Sequence, residues 1–225
     1  MISTQDSILA ALKKAVIKFR EKDARDAAQK ALDNGIDPLI AVKQGLIPGM
    51  RKVGILFDTN EYFVPEVMLS TDAFYAALGI LRPHIPKKNP DSQISVVIGS
   101  ILGDVHDIGK NLVKIMFDIE GWDVHDLGRN VPLDQFVEKH LAVKSDIIAI
   151  SAMMTTTMMG MKKVVAIAKK ENPDCLVMIG GAAVTKEIAD VFGADGYAAS
   201  YTTAVAEALK MIEQYHLFKQ KFPAL

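Results

Sequence analysis

The residues best placed to do chemistry cluster in Gly103-Asp104-Val105-His106-Asp107-Ile108-Gly109-Lys110-Asn111. A histidine stands two residues after an aspartate and three before a glycine. An apolar run from Ile94 to Ile101 precedes the segment and reads as a buried strand. Leu112 to Ile119 follows it with the spacing of an amphipathic helix. The imidazole therefore falls on a strand-to-helix loop at the carboxyl end of a strand, where open α/β sheets bind ligands. A loop histidine can also do no more than hydrogen-bond its neighbours, and the segment alone leaves both readings open.

The elements that must position this loop fill the carboxyl-terminal part of the chain. Strands are expected at Ile94–Ile98, Trp122–Leu127, Asp146–Met153, Leu176–Ile179 and Gly196–Ala198. Helices are expected at roughly 108–120, 133–143, 156–170, 185–192 and 202–216, with Gly121 ending the first and Pro132 opening the second. Such alternation predicts a parallel sheet of five strands with helices on both faces. In order 2-1-3-4-5 the sheet reverses direction between strands one and three and opens a crevice there. Three more loops share that edge: Ser151 to Thr157, Gly180-Gly181-Ala182-Ala183, and Ala199-Ser200-Tyr201. Paired glycines let a large ligand approach the backbone, and Ser151, Thr155 and Thr157 offer hydroxyls that donate and accept. Alone, the glycines make an ordinary tight turn and the threonines an ordinary helix cap; only the joint pattern favours a shared site.

Residues 1 to about 85 carry helical signals only. Ile8, Leu9, Leu12, Val16 and Phe19 form one apolar stripe, and Ala24, Ala27, Ala28, Ala31 and Leu32 a second that ends at Asn34-Gly35. Asp37-Pro38 reads as N-cap and first-turn proline of a third helix, in which Pro48-Gly49 implies a kink or break. A fourth starts near Pro65 and runs through Leu81, so a compact four-helix bundle is expected. Tyr62 and Phe63, in the polar turn before it, either plug the bundle end or face a ligand. Pro83-His84-Ile85-Pro86-Lys87-Lys88-Asn89-Pro90 reads as a stiff linker and a candidate hinge, placing domains at 1–88 and 89–225.

Composition sets the outer limits. Of 225 residues, half are hydrophobic and 24% charged, with a formal net charge of -1, so no long-range field points to nucleic acid or an anionic membrane. One cysteine, Cys175, excludes an intrachain disulfide framework and a Cys-based zinc site. No early apolar run reads as a signal peptide or membrane span, which places the protein in the cytoplasm.

Taken together, the two halves resemble the corrinoid proteins of methyl-transfer systems, which serve methanol, methylamine and O-demethylase methyltransferases and are similar to the cobalamin-binding region of methionine synthase. Asp104-x-His106-x-x-Gly109 matches the family's first motif in full. Ser151-x-Met153-x-Thr155-x-Thr157 resembles its second, with Met153 where leucine is usual, and Gly180-Gly181 matches its glycine pair, with Ala183 where proline is often found. Gly193 to Ala198 fits the last loop, and Pro48-Gly49-Met50, Val53-Gly54 and Glu61 to Glu66 resemble the helical cap. The resemblance implies an N-terminal four-helix cap on a flavodoxin- or Rossmann-like α/β domain. It implies cobalamin, in methylcobalamin and cob(I)alamin states, with His106 as the lower axial ligand of cobalt in place of the cofactor's benzimidazole. Asp104 and Thr157 would back that histidine as a relay. Gly103, Asp104, Val105, His106, Asp107, Ile108, Gly109, Ser151, Met153, Thr155, Thr157, Gly180, Gly181 and Ala199 would bind the cofactor, the displaced nucleotide tail lying beside Ser151, Gly180 and Gly181.

A protein of this kind is a non-catalytic subunit that carries a methyl group from a substrate-specific methyltransferase to a second one serving an acceptor such as coenzyme M or tetrahydrofolate. A reductive activase is a further implied partner; nucleic acid and membrane are not. Three alternatives share the histidine: the cobalamin subunit of an adenosylcobalamin-dependent mutase, a cobalamin-dependent sensor or regulator, and a flavodoxin-like module for another ligand. A mutase subunit does not need the helical cap, and a regulator needs a basic recognition helix that the first 85 residues lack.

Overall fold

The computed structural model describes residues 4–86 and 94–221. The chain divides into two compact units, Met1–Pro86 and Lys87–Leu225. The amino-terminal unit holds α1 (Thr4–Ile17), α2 (Glu21–Asp33), a short α3 (Pro38–Ile40), a π-helical stretch (Ala41–Leu46), α4 (Ile47–Asp58) and α5 (Val64–Leu81), closed by a 3-10 turn at Arg82–His84. Asp37 caps α3 by accepting from the Leu39 amide at 2.8 Å, with Pro38 in the first turn. Asn34-Gly35 ends α2, Gly35 taking φ +66°. The expected kink or break at Pro48-Gly49 is instead a change of winding upstream of it. Pro48 has no N–H to give to the preceding turn, and the helix meets that loss by widening over Ala41–Leu46, where the Ile47 amide bonds back to Val42.

Small residues let these helices approach closely. A Cβ at Gly45 would lie 3.0 Å from Leu12 Cβ, and one at Gly49 2.9 Å from Val16 Cβ. Tyr62 is a plug: its hydroxyl donates to the Ile17 carbonyl at 2.7 Å, capping α1, and its ring meets Phe19 edge-on. Phe63 points outward, 61% exposed, and its amide is held by the Glu66 carboxylate. The run Val64–His84 is, by length and composition, apolar enough to cross a membrane, which the sequence pattern did not suggest. Within the unit, Ala73, Phe74, Ala77, Leu78 and Leu81 of this run are buried, and α5 packs against α2. Of the expected linker, residues 87–90 lie outside the described residues.

The second unit is a five-stranded parallel sheet of β1 (Ser95–Ser100), β2 (Asp123–Asp126), β3 (Ile147–Ser151), β4 (Leu176–Gly180) and β5 (Gly196–Ala198) in the order β2-β1-β3-β4-β5. The helices are α6 (Ile108–Ile119), α7 (Leu133–Val143), α8 (Thr155–Glu171), α9 (Lys186–Phe192) and α10 (Ala204–Lys221). Alternate strand residues enter two cores. Ile98, Ile147, Ala149 and Met178 pack with Phe117, Trp122 and Met211, while Ile148, Ile150, Val177 and Ile179 pack with Phe136, Met161, Val165 and Phe192.

Boundary differences from the sequence reading have local causes. β1 runs on to Ser100 because its end is paired on one side to β3. β3 stops at Ser151 rather than Met153, because the Met153 amide leaves the ladder for the Asp104 carboxylate. Trp122 is not in β2; it turns inward to stack on Phe117 at 4.6 Å.

The glycine contacts in the bundle yield a paired prediction. Gly49→Val should destabilise the helical unit by about 1–3 kcal/mol through overpacking against α1. Gly79→Ala, at an exposed helical site with open space around it, should be neutral or stabilise by roughly 0.5–1 kcal/mol. Thermal unfolding followed by circular dichroism separates the two, and an unaltered Gly49→Val melt would refute the close approach.

Candidate functional site

The loop after β1 turns at Gly103, whose φ of +83° suits a residue without a Cβ. Asp104 follows and is fully buried. Its Oδ1 accepts from the His106 amide at 3.1 Å and stands 2.8 Å from His106 Nδ1. Its Oδ2 accepts from the Met153 amide at 2.7 Å and from Thr157 Oγ1 at 3.0 Å. Thr157 Oγ1 is also 3.0 Å from the Met154 carbonyl, so its single proton is shared between two acceptors. Burial pushes the Asp104 carboxyl up. The bonds from Met153, His106 and Thr157 outweigh that and hold it below the usual carboxylate range. An ionised Asp104 accepts only, which fixes the ring proton on Nδ1 and leaves Nε2 as a lone pair. The His106 side chain is 50% exposed, and Nε2 has no partner among the described residues.

Residues outside the sequence motif set this loop. Ser100 Oγ, fully buried, donates to the His106 carbonyl at 2.7 Å. Asn130, in a left-handed conformation at φ +54°, donates its amide to the Asp104 carbonyl at 2.9 Å and accepts from the Gly103 amide at 2.8 Å. Neither residue was singled out from sequence. A polar residue closing an apolar strand, and an asparagine before Val131-Pro132, were the available signals.

Beside the loop, between one face of the sheet and α6, lies a cavity of about 250 Å³. Ile98, Ala149, Met178 and Ala198 line it from the sheet and Val113 from α6, while Ser151, Gly180, Gly181 and Ala199 come from the strand ends. The two glycines are sterically required. A Cβ at Gly180 would fall 2.8 Å from the Ala198 carbonyl, and one at Gly181, φ +112°, 2.1 Å from the Ala152 carbonyl. Met153 also lines the cavity, its sulfur accepting weakly from the Ala182 amide at 3.5 Å.

The sequence-derived residues thus divide. Asp104, His106, Thr157 and the Met153 backbone form one hydrogen-bonded relay; Gly109, Ser151, Met153, Gly180, Gly181 and Ala199 line the cavity. Gly103, Val105, Asp107 and Ile108 belong to the His106 loop but not to the cavity wall, and Val105 is exposed. Thr155 opens α8, exposed, and joins neither group. Among the described residues no cluster of three His, Cys, Asp or Glu side chains is arranged to hold a metal ion.

Comparison with known proteins identifies the family. A family model described as a B12 binding domain matches residues 94–215, and a second so described matches residues 8–82. Dimethylamine corrinoid protein 1 of Methanosarcina acetivorans is 40% identical over 212 residues, 93% of this chain and 99% of that protein. Among solved structures, the Methanosarcina barkeri monomethylamine corrinoid protein is 30% identical with a TM-score of 0.82, covering 92% of this chain and 99% of that one. The methanol:cobalamin methyltransferase complex of the same organism matches at 30% identity and a TM-score of 0.50, covering 92% of this chain and 81% of that one. A buried carboxylate behind a half-exposed imidazole, set beside a glycine-edged cavity, is thus found in a chain that belongs to the corrinoid proteins of methyltransferase systems and takes a cobalamin-type cofactor.

Proposed function

We propose that this chain is a methyl carrier in which His106 is the lower axial ligand of cobalamin's cobalt and the cofactor's displaced nucleotide tail occupies the cavity edged by Gly180 and Gly181. The observation that carries this reading is the His106 ring: Nδ1 is committed to Asp104 at 2.8 Å, while Nε2 stays free on a half-exposed side chain. When bound, the cofactor supplies a cobalt centre that accepts a methyl group and gives it up.

The protein's own residues do the rest. Asp104 keeps the proton on Nδ1 and so keeps Nε2 a donor of its lone pair. Thr157 and the Met153 amide hold the carboxylate ionised where burial alone would favour its neutral form. Ile98, Ala149, Met178 and Ala198 offer an apolar bed for a planar base, and Ser151 offers a hydroxyl at its edge. The remaining residues of the loop, Gly103, Val105, Asp107, Ile108 and Gly109, present backbone to the macrocycle, and Thr155 has only an exposed hydroxyl to offer there. The helical unit Met1–Pro86 would act as the cap that the resemblance implies; within it Phe63, Val64 and Met68 are exposed apolar side chains.

In this reading one methyltransferase loads the carrier from a methylated substrate and a second unloads it to an acceptor such as coenzyme M or tetrahydrofolate, with a reductive activase restoring the cofactor. Support comes from the relatives: the similar proteins are named for dimethylamine and monomethylamine, and the methanol relative is a methyltransferase complex. Such carriers work in the cytoplasm.

Three measurements test the assignment. His106→Ala should fold, since its half-exposed ring supports no core, yet lose the visible spectrum of histidine-ligated cobalamin and bind the cofactor at least about tenfold more weakly. An unchanged spectrum and affinity would exclude His106 as the ligand. Asp104→Asn keeps the ring but removes the charge behind it, and should weaken cobalamin retention by about 10–100-fold. In the cofactor-free protein Asp104→Ala should lower stability near pH 7 by about 2–3 kcal/mol, because the Met153 amide and Thr157 lose their buried acceptor. The folded carboxyl titrates below its unfolded value of about 3.9, so its contribution is complete above that pH and is lost as pH falls through the folded value. The stability gap between native and variant should therefore narrow below about pH 4; a constant gap across that range would contradict an ionised Asp104.

A further inference from the structure

A second buried ionic cluster flanks the His106 loop, and its member Lys110 also lines the cavity. Lys110, in the first turn of α6, is 3% exposed although it carries an ammonium. Its Nζ is 2.6 Å from Asp126 Oδ1 at the end of β2 and 2.7 Å from Asn111 Oδ1. Lys114 reaches the other carboxylate oxygen at 2.9 Å, so two ammonium groups share one carboxylate. Burial pushes the Asp126 carboxyl up, and the bonds from Lys110, Lys114 and the Gly128 amide more than reverse it.

Stability alone is a poor reason for such a cluster. Removing a lysine from water is costly, and well-packed apolar replacements of buried ion pairs are often as stable or more so. What the cluster does give is a fixed geometry. Asp126 Oδ1 also accepts from the Gly128 amide at 2.9 Å. The Gly128 carbonyl accepts from the Ser100 amide at 3.0 Å, and Ser100 Oγ holds the His106 carbonyl at 2.7 Å. From the same turn, Asn130 grips Gly103 and Asp104. Gly128 takes φ +84°, which a residue without a Cβ adopts freely, and Asn130 holds φ +54°, uncommon for a residue with a side chain. Asp126 anchors one end of this turn. On the other side of the histidine, Lys110 ties the start of α6 to that same carboxylate, four residues after His106.

We infer that Lys110 and Asp126 are positioning residues for His106: their buried pair clamps the loop from both flanks and so sets where the imidazole can stand. This rests on the methyl-carrier reading only for its spectroscopic consequence; its mechanical consequence holds for the cofactor-free protein. Among the described residues Lys110, Lys114 and Asp126 make no hydrogen bond or ion pair to the His106 ring, so their effect is transmitted through Gly128, Ser100 and Asn130.

Lys110→Met is the primary test, because Asp126 stays paired with Lys114 and no buried charge is stranded. Lys110→Met combined with Asp126→Leu is the second variant, removing both buried partners. Hydrogen exchange of the cofactor-free chain, followed at temperatures well below unfolding, should show amides of residues 103–107 exchanging at least about tenfold faster in either variant, with protection of β3 and β4 unchanged. After reconstitution with hydroxocobalamin the fraction showing the histidine-ligated spectrum should fall, while total corrinoid bound falls less. Unchanged loop exchange in a folded variant overturns the inference, whatever the cofactor does. Uniformly faster exchange across the sheet also overturns it, since that marks a merely stabilising pair. Faster loop exchange in a protein whose native form takes up no hydroxocobalamin upholds the clamp and overturns the methyl-carrier reading instead.

Discussion

The site depends on one carboxylate taken out of water. Asp104 is worth burying only because donors from two separate loops meet it: the His106 amide and ring on one oxygen, the Met153 amide and Thr157 hydroxyl on the other. This ties the loop after β1 to the loop after β3, across the point where the sheet reverses its order. The crevice that a 2-1-3-4-5 sheet opens there is in this protein crossed by a charge. A buried anion behind an imidazole also fixes its tautomer, so the interaction that joins two loops also leaves the Nε2 lone pair of His106 free.

Much of this was legible in the residues. Hydrophobic period and turn chemistry located all five strands and the helices between them; alternation implies a parallel sheet but not its order, and the expected order 2-1-3-4-5 is the one found. The motif Asp104-x-His106-x-x-Gly109 identified the loop, and Ser151 to Thr157 with Gly180-Gly181 identified its neighbours. The ends of β1 and β3 were misjudged for a reason that sequence patterns cannot carry. Ser100 extends β1 by pairing with Ser151 of β3, and Met153 gives its amide to Asp104 nearly fifty residues away, which ends β3 early. Asn130 escaped notice because its value lies in a backbone angle and a distant contact, not in a local pattern. Nothing in the spacing of the sequence marks Lys110; only three dimensions show it buried against Asp126.

The helical unit shows the same limits. Its caps at Asn34-Gly35 and Asp37-Pro38 were plain, because capping is local chemistry. The response to Pro48 was not, because a helix can meet a missing N–H by bending, breaking or widening, and the choice depends on neighbours. Here Gly45 and Gly49 pack against Leu12 and Val16, so a sharp bend would pull apart that contact, and widening over Ala41–Leu46 preserves it. Tyr62 likewise settles as a plug because the Ile17 carbonyl, at an open helix end, needs a donor.

Gly181 carries a consequence beyond its own turn. Its α-carbon lies so near the Ala152 carbonyl that the backbones after β3 and β4 form a single seam, and Ala152 directly precedes the residue whose amide holds Asp104. Any side chain at position 181 must wedge that seam open and draw the Met153 N–H away from the buried anion. Position 181 thereby has no room for a side chain, not because of what the cavity beside it must hold, but because of the bond that the buried Asp104 must keep.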